Sequence, residues 1–290
     1  MNVEMAYLLG MILGNGEIQR GASNTRITID IPHKNMYTDD GKDVAIYVRA
    51  SLIDIEDIIR PLVNTEIAHI SGKRSTQISF EKSNSEYITR ELIRLLGTGT
   101  KHNTMKFADE LFNMSVDERK SLLRGFADVT AYIRKSNIAF GQEGQHRVYI
   151  EIPENWNMVI DIANMLKSLD IPIQTIDFGH PNFRDSNVKK YNEGKTGYWK
   201  KEHQIKIWAN EFLPIGFHVK HKQSALEEYA EELLKCMSHK QTHTFYWEKP
   251  IRGRKKPIHP SESDPSLPVL IRGKHFESWT EVAKALGYHD

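Results

Sequence analysis

The sequence predicts an α+β fold made of two related lobes, each ordered helix, two strands, helix, two strands, helix. Two observations support this. Similar segments occur twice in the same order, and the spacing of apolar residues switches between strand and helix periods. Residues 26–32 read Arg-Ile-Thr-Ile-Asp-Ile-Pro, and residues 147–153 read Arg-Val-Tyr-Ile-Glu-Ile-Pro. Both alternate apolar and polar side chains and stop at a proline, as half-buried strands do.

Two further pairs of segments repeat in register. Leu8-Leu-Gly10 matches Leu123-Arg-Gly125, and Gly97-Thr-Gly-Thr-Lys101-His matches Gly216-Phe-His-Val-Lys220-His. The separation between the copies is nearly constant and the unit is far longer than a solenoid repeat. The chain is therefore interpreted as a duplication of one lobe.

The first helix of each lobe is predicted to pack against its counterpart. Val3–Leu13 is apolar on nearly every face and must be buried on all sides. Its equivalent begins at Ser115, which starts a capping-box pattern. Glycine weakens a helix by about 1 kcal/mol, so Gly10 and Gly125 indicate a place where two backbones approach closely.

The remaining elements follow from the same periods. Lobe one has predicted strands at 17–20, 25–31, 66–71 and 76–81 and helices at 45–62 and 85–96. The helix at 45–62 is expected to bury Ile46, Ala50, Ile53 and Ile58. Lobe two has predicted strands at 132–135, 147–152, 173–178 and 203–208 and helices at 156–169 and 223–236.

Two segments resemble the paired motifs of the LAGLIDADG homing endonucleases. Tyr7-Leu-Leu-Gly-Met-Ile-Leu-Gly-Asn-Gly-Glu17-Ile18 resembles the first, and Leu122-Leu-Arg-Gly-Phe-Ala-Asp-Val-Thr-Ala-Tyr132-Ile133 resembles the second. The resemblance extends to about residue 237. It implies a pseudo-two-fold fold with two saddle-shaped antiparallel sheets, and a monomer that binds specific double-stranded DNA and hydrolyses it with a metal.

In this family each motif helix ends in an acidic residue that binds a divalent cation such as Mg²⁺. The matching positions here are Asn15 and Thr130, which carry no charge, and Gly14 and Val129 precede them in the implied metal site. The loss of both carboxylates is expected to weaken cation binding.

Several interpretations of these replacements stay open. Asn15 is either native or a substitution made to trap an uncut complex. Glu17 and Asp128, each two residues from a motif position, are alternative ligands. The third alternative is a protein without cutting activity, either a DNA-binding regulator or an RNA-binding intron maturase.

A lysine followed by histidine recurs in the two lobes as Lys101 and Lys220. The resemblance implies that Lys220 is the central basic residue near the scissile phosphate and that Lys101 is its equivalent in lobe one. Such a lysine stabilises developing charge or helps to activate water.

The resemblance also implies that outward strand positions read DNA bases and that basic loops hold phosphates. The predicted reading positions are Gln19, Arg20, Arg26, Thr28 and Asp30 in lobe one, and Arg134, Lys135, Arg147, Tyr149 and Glu151 in lobe two. The predicted phosphate contacts are Lys189, Lys190, Lys195, Lys200, Arg252, Arg254, Lys255 and Lys256.

Domain boundaries are predicted at 1–113 for lobe one and 114–237 for lobe two, followed by a basic proline-rich linker at 238–268. Residues 269–290 resemble part of a nuclease-associated modular DNA-binding repeat, with a hairpin-like strand before a helix capped by Ser278. The single cysteine, Cys236, fits a reducing compartment. The expected location is the cytoplasm or an organellar matrix, with no secretion and no membrane partner.

Overall fold

The computed structural model describes residues 1–38, 44–135, 146–177, 203–236, 269–271 and 274–276. The first half contains α1 (Val3–Asn15), β1 (Gly16–Arg20), β2 (Asn24–Pro32), α2 (Val44–Val63), β3 (Ala68–Ser71), β4 (Ser75–Ser83) and α3 (Tyr87–Leu96). The second contains α4 (Val116–Thr130), β5 (Ala131–Arg134), β6 (Arg147–Ile152), α5 (Trp156–Lys167), β7 (Thr175–Asp177), β8 (His203–Trp208), α6 (Ala209–Phe212) and α7 (Lys220–Cys236). Short 3-10 turns lie at His33–Asn35 and Asp109–Asn113, and β9 (Val269–Ile271) and β10 (Lys274–Phe276) follow.

The two halves form sheets of the same topology. Their strand orders are β1-β2-β4-β3 and β5-β6-β8-β7, and the described pairings are antiparallel. Each half begins with a helix that leads directly into its first strand. The predicted α+β class and the duplicated element order are confirmed.

Helix α1 lies in the core, as predicted. Asn2 caps it by accepting a hydrogen bond from the Met5 backbone, and every residue from Met5 to Gly14 is buried. An all-apolar helix surface needs a cover on every side, and α4 supplies much of it. The capping box at the start of α4 also forms, between Ser115 and Glu118.

The predicted buried stripe of α2 is wrong. Ile46 and Ile53 are 65% and 52% exposed. The buried side chains are Val48, Ser51, Asp54, Ile55, Glu56, Ile59 and Val63. The buried face includes polar groups because these have partners: Ser51 donates to the Met36 carbonyl, and Asp54 accepts from the Lys220 backbone. Apolar periodicity alone does not detect a helix that buries hydrogen-bonded polar side chains.

The chain divides into two compact units, Met1–Ile150 with Trp208–Gln241 and Glu151–Ile207 with Thr242–Asp290. The domain boundaries at 113 and 237 remain predictions. The β9–β10 hairpin pairs antiparallel, as expected for residues 269–276. The linker at 238–268 and the helix expected after Ser278 lie outside the described residues. None of the described helices combines the length and apolar character needed to cross a membrane.

Candidate nucleic-acid interface

The motif helices α1 and α4 touch through their backbones at two glycines. A Cβ atom at Gly10 would lie 1.9 Å from the Leu122 carbonyl oxygen, and one at Gly125 would lie 2.0 Å from that of Tyr7. No side chain fits at such distances. The prediction that these glycines permit close approach is confirmed.

This crossing brings the ends of the two motif helices together. Asn15, the last residue of α1, donates from its side-chain nitrogen to the Val129 carbonyl at 3.1 Å. Thr130, the last residue of α4, is buried and donates its hydroxyl to the Phe126 carbonyl at 2.7 Å. A Cβ at Gly14 would contact the methyl groups of Val129 and Thr130 at 2.8 and 2.9 Å. The four residues of the implied metal site are therefore neighbours.

The structure adds Asn35, which the sequence interpretation missed. It lies in the 3-10 turn after β2, is 2% exposed, and donates from its side-chain nitrogen to the same Val129 carbonyl at 2.9 Å. An asparagine shortly after a strand-ending proline is typical of a helix cap, and Asn155 in the second half caps α5 in this way. The sequence signal for Asn35 therefore suggests capping rather than a place at the motif ends.

The donor chemistry of Gly14, Asn15, Val129 and Thr130 does not fit a Mg²⁺ site. Mg²⁺ is usually held by one or two carboxylates, with waters and phosphates completing an octahedron. Here the Val129 carbonyl already accepts two amide N–H groups, and the Thr130 hydroxyl is turned back on its own helix. Within the described part of the chain, no three histidine, cysteine, aspartate or glutamate side chains converge to hold a metal.

Asp128 is engaged in packing. Its side chain is buried, and one carboxylate oxygen accepts hydrogen bonds from the Tyr7 hydroxyl and the His218 backbone, both at 2.9 Å. Burial, and then the charge of Asp128, raise the pKa of Tyr7 well above its usual value. The carboxylate thus joins α1, α4 and the segment before α7.

Lys222 completes this buried group. Its ammonium lies 3.7 Å from the Asp128 carboxylate and donates to the carbonyls of Ala127, Asp128 and Ala131 at 3.2, 3.2 and 2.9 Å. These carbonyls lie at the C-terminal end of α4, where a positive charge is favourable. Burial lowers the pKa of Lys222 to about 8. Lys222 therefore fixes the end of motif helix α4 to α7.

The repeated lysines have different surroundings. Lys101 lies 3.4 Å from the Glu17 carboxylate, and its neighbour His102 donates from its backbone to the Gly16 carbonyl, just past the end of α1. The Lys220 ammonium lies 2.9 Å from Asp54 on α2, and this hydrogen bond raises the pKa of Lys220. Their proposed roles at a phosphate remain predictions.

In the first sheet, four of the five predicted reading positions share the outward face with residues of β4. Gln19 lies opposite Arg26, which lies opposite Glu81 on the next strand, and Arg26 and Glu81 form an ion pair. Thr28 and Asp30 follow along the same face of β2 and are half-buried. This face therefore carries both hydrogen-bond donors and hydrogen-bond acceptors. The prediction of Arg20 as an outward position is wrong: it lies opposite the buried Thr25, on the other face of the strand, and donates to the Gly97 carbonyl.

In the second half, the strands β5 and β6 carry arginines packed on aromatic rings. Arg134 and Arg147 lie opposite each other in the strand ladder. The Arg134 guanidinium lies 4.5 Å from the centre of the Tyr132 ring, and that of Arg147 lies 4.4 Å from the centre of the Trp208 ring. Stacking of this kind holds a guanidinium in a fixed orientation.

The other predicted DNA-contacting residues of this half lie on or next to the same strands, or outside the described residues. Tyr149 stacks on Tyr132 with ring centres 5.1 Å apart. Lys135 lies beside α7, at 3.6 Å from both Glu228 and Glu232. Glu151 is half-buried on β6. The lysines at 189–200 and the basic residues at 252–256 lie outside the described residues.

No protein-family model and no curated protein matches the sequence. Among solved structures, I-DmoI in complex with DNA and manganese is similar over 77% of this chain and 97% of its own, at 15% identity and a TM-score of 0.38. Full-length DUF199/WhiA from Thermotoga maritima is similar over 81% and 60%, at 16% identity and a TM-score of 0.44. The N-terminal LAGLIDADG domain of DUF199/WhiA is similar over 80% and 82%, at 15% identity and a TM-score of 0.38. Likenesses this distant carry no argument about function.

Proposed function

We propose that this chain binds double-stranded DNA through the outward strand faces of its two halves. The observation that carries the proposal is the pair of arginines on β5 and β6, each stacked on an aromatic ring and directly opposite the other. Like charges opposite each other in a sheet repel. A polyanion that contacts both guanidiniums offsets this repulsion, because each guanidinium is attracted to the bound negative charge.

The chemistry of the strand faces favours duplex DNA as the partner. An antiparallel ribbon fits the major groove, where each base pair presents a distinct set of donors and acceptors. A fixed guanidinium matches the two acceptors of guanine, whereas an amide such as Gln19 matches adenine. A carboxylate such as Asp30 accepts from cytosine. The faces therefore combine the side chains that sequence readout requires.

The motif ends alone do not supply the ligands for metal-dependent cutting. The endonuclease activity implied by the sequence needs charged ligands there, and Asn15 and Thr130 offer an amide and a hydroxyl. The alternative of a DNA-binding regulator requires only binding. It is consistent with motif-helix ends whose polar groups form hydrogen bonds with one another. Selection of bound fragments from a random duplex library, with and without Mg²⁺, tests both. A selected site bound without Mg²⁺ supports the proposal, and failure to enrich any sequence contradicts it.

Replacing Arg147 by methionine is expected to weaken binding to the selected duplex by about tenfold or more, because a bidentate arginine–base contact is worth about 1–3 kcal/mol. Fluorescence anisotropy at fixed salt measures the affinity. Arg147→Lys keeps the charge but loses the planar fork, so we expect it to keep non-specific binding and lose discrimination between sequences.

Arg90 provides the matched control for this experiment. It is exposed on α3, so Arg90→Met removes one positive charge without altering the β5–β6 face. We expect its affinity to stay within about twofold of the unmodified chain, since isolated surface substitutions have small effects. Equal losses in Arg90→Met and Arg147→Met would indicate a general charge effect and contradict readout by the stacked arginines.

A further inference from the structure

Glu81 on β4 is an exposed acidic residue that the sequence interpretation did not select. It lies directly opposite Arg26, a predicted reading position on β2. The next pair of opposite residues along the two strands, Ile27 and Phe80, is buried in the core. Because side chains alternate along a strand, Arg26 and Glu81 both point to the outward face. This is the face of lobe one to which we assign the duplex.

Arg26 and Glu81 bind each other through only part of their polar groups. The Nε and Nη2 atoms of Arg26 lie 2.7 and 2.5 Å from the same carboxylate oxygen, Oε1 of Glu81. The third guanidinium nitrogen, Nη1, and the second carboxylate oxygen, Oε2, take no part in this ion pair. The two side chains are 56% and 48% exposed, and ion pairs this exposed add little to stability. The pair therefore offers a donor and an acceptor side by side to a partner on the outward face.

A G·C base pair presents the complementary groups in the major groove. Guanine offers two acceptors, N7 and O6, and the paired cytosine offers its N4 amine as a donor. Guanidinium N–H groups match the guanine acceptors, and a carboxylate oxygen matches the cytosine amine. An A·T pair presents an adenine amine and a thymine methyl group instead. It would therefore set a donor against the guanidinium or a methyl group against the carboxylate.

The charge balance of the ion pair favours selection of a sequence over general attraction to DNA. An arginine alone on this face would be attracted to any phosphate, whereas Glu81 cancels the charge of Arg26. Contact with DNA removes water from both side chains. A wrong base pair then leaves the carboxylate or a guanidinium N–H without a partner, which is costly. The ion pair thus discriminates mainly by penalising the wrong sequence.

We propose that Arg26 and Glu81 together read one G·C base pair, with Arg26 donating to guanine and Glu81 accepting from the cytosine amine. This inference rests on the DNA binding proposed above. It adds Glu81 as a residue that determines specificity, and it requires a G·C pair in the part of the target that lobe one contacts.

Duplex selection with the Glu81→Gln variant tests the inference, when it is compared position by position with selection by the unmodified chain. We expect one G·C position of the selected site to lose its preference by about tenfold or more, the order of discrimination that such base contacts provide. The other positions should keep their preferences. Affinity for unrelated duplex should rise, because the charge of Arg26 is no longer cancelled.

The Arg26→Met variant tests the same position independently. It should relax the preference at the same G·C pair, and the double variant with Glu81→Gln should relax it no further, because the two side chains read the pair as a unit. Relaxation at two different positions would overturn the assignment to one base pair. Circular dichroism establishes that each variant is folded.

Glu91 provides the matched control. It pairs with Arg94 on α3, so Glu91→Gln makes the same change of charge without altering the strand face, and it should keep every base preference. Relaxation of the same position by Glu91→Gln, or a full preference in Glu81→Gln, would overturn the inference. If the unmodified chain enriches no sequence, DNA binding itself fails and the inference fails with it. That result differs from a selected site that Glu81→Gln leaves unchanged, which overturns the inference alone.

Discussion

Replacing Gly125 by alanine is expected to destabilise the fold by about 3 kcal/mol or more, at the upper end for an overpacked core. The added Cβ would lie 2.0 Å from the Tyr7 carbonyl oxygen, so the two motif helices would have to separate. Alanine favours an isolated helix over glycine by about 1 kcal/mol, so any loss measured comes from packing. Urea unfolding followed by circular dichroism measures the free energy of unfolding.

Gly14 offers a graded control on the partner helix. A Cβ there would meet the side-chain methyls of Val129 and Thr130 at 2.8 and 2.9 Å, and these can shift more easily than a backbone carbonyl. We expect Gly14→Ala to cost clearly less than Gly125→Ala. Equal and small losses in both variants would contradict a backbone-to-backbone crossing of α1 and α4.

The duplicated fold was predictable because the features that define it are local and periodic. Strand alternation before Pro32 and Pro153, together with an apolar helix at the start of the chain, indicated element order and class. The glycines Gly10 and Gly125 were also readable, since a glycine inside an apolar helix needs a reason. Each of these signals is contained within about one or two turns of helix or one strand.

The polar contacts at the motif ends were not predictable because their partners are far apart in sequence. Asn35 donates to a carbonyl 94 residues away, and Lys222 donates to one 95 residues away. The sequence interpretation selected Lys220, two residues before Lys222 and on another side of α7. A basic run has no period that tells a buried lysine from an exposed one, so only the packing distinguishes them.

The positions of the acidic residues were hard to predict for the same reason. The family resemblance directs attention to Asn15 and Thr130, where charge is missing. Asp30 was predicted as a base-reading residue, because alternation places it on the outward face of β2. The register pairs Ile29, which precedes Asp30, with Gly16, which follows Asn15, and a single sequence does not provide this register.

Removing the Lys222 ammonium is expected to cost about 3–5 kcal/mol, as for other broken buried ion pairs. Lys222→Met keeps most of the side-chain volume but leaves the buried Asp128 carboxylate uncompensated and withdraws a donor from three carbonyls. Lys220→Met is the matched control. The Lys220 ammonium is exposed, and its buried partner Asp54 keeps the hydrogen bond from the Lys220 backbone, so the loss should be smaller.

The pair also predicts a pH dependence of stability. The pKa of Lys222 is lowered to about 8 in the fold, against 10.5 in the unfolded chain. Between these values the unfolded state binds the proton that the folded state has released, so the free energy of unfolding rises with pH. From pH 8 to about 9.5 the rise is up to about 2 kcal/mol, at about 1.4 kcal/mol per pH unit. Measurements stay below pH 10 because ionisation of Tyr7, whose folded pKa is raised, acts in the opposite direction above it.

The Lys222→Met variant should lose this rise, and comparison with Asp128→Asn separates the pair from its surroundings. If the ammonium and the carboxylate stabilise each other, the double variant loses less than the sum of the two single losses. Additive losses would mean that Lys222 acts mainly through the three α4 carbonyls. If the free energy of unfolding of Lys222→Met still rises between pH 8 and 9.5, another group titrates in this range. That result would contradict the assignment of the pH dependence to Lys222.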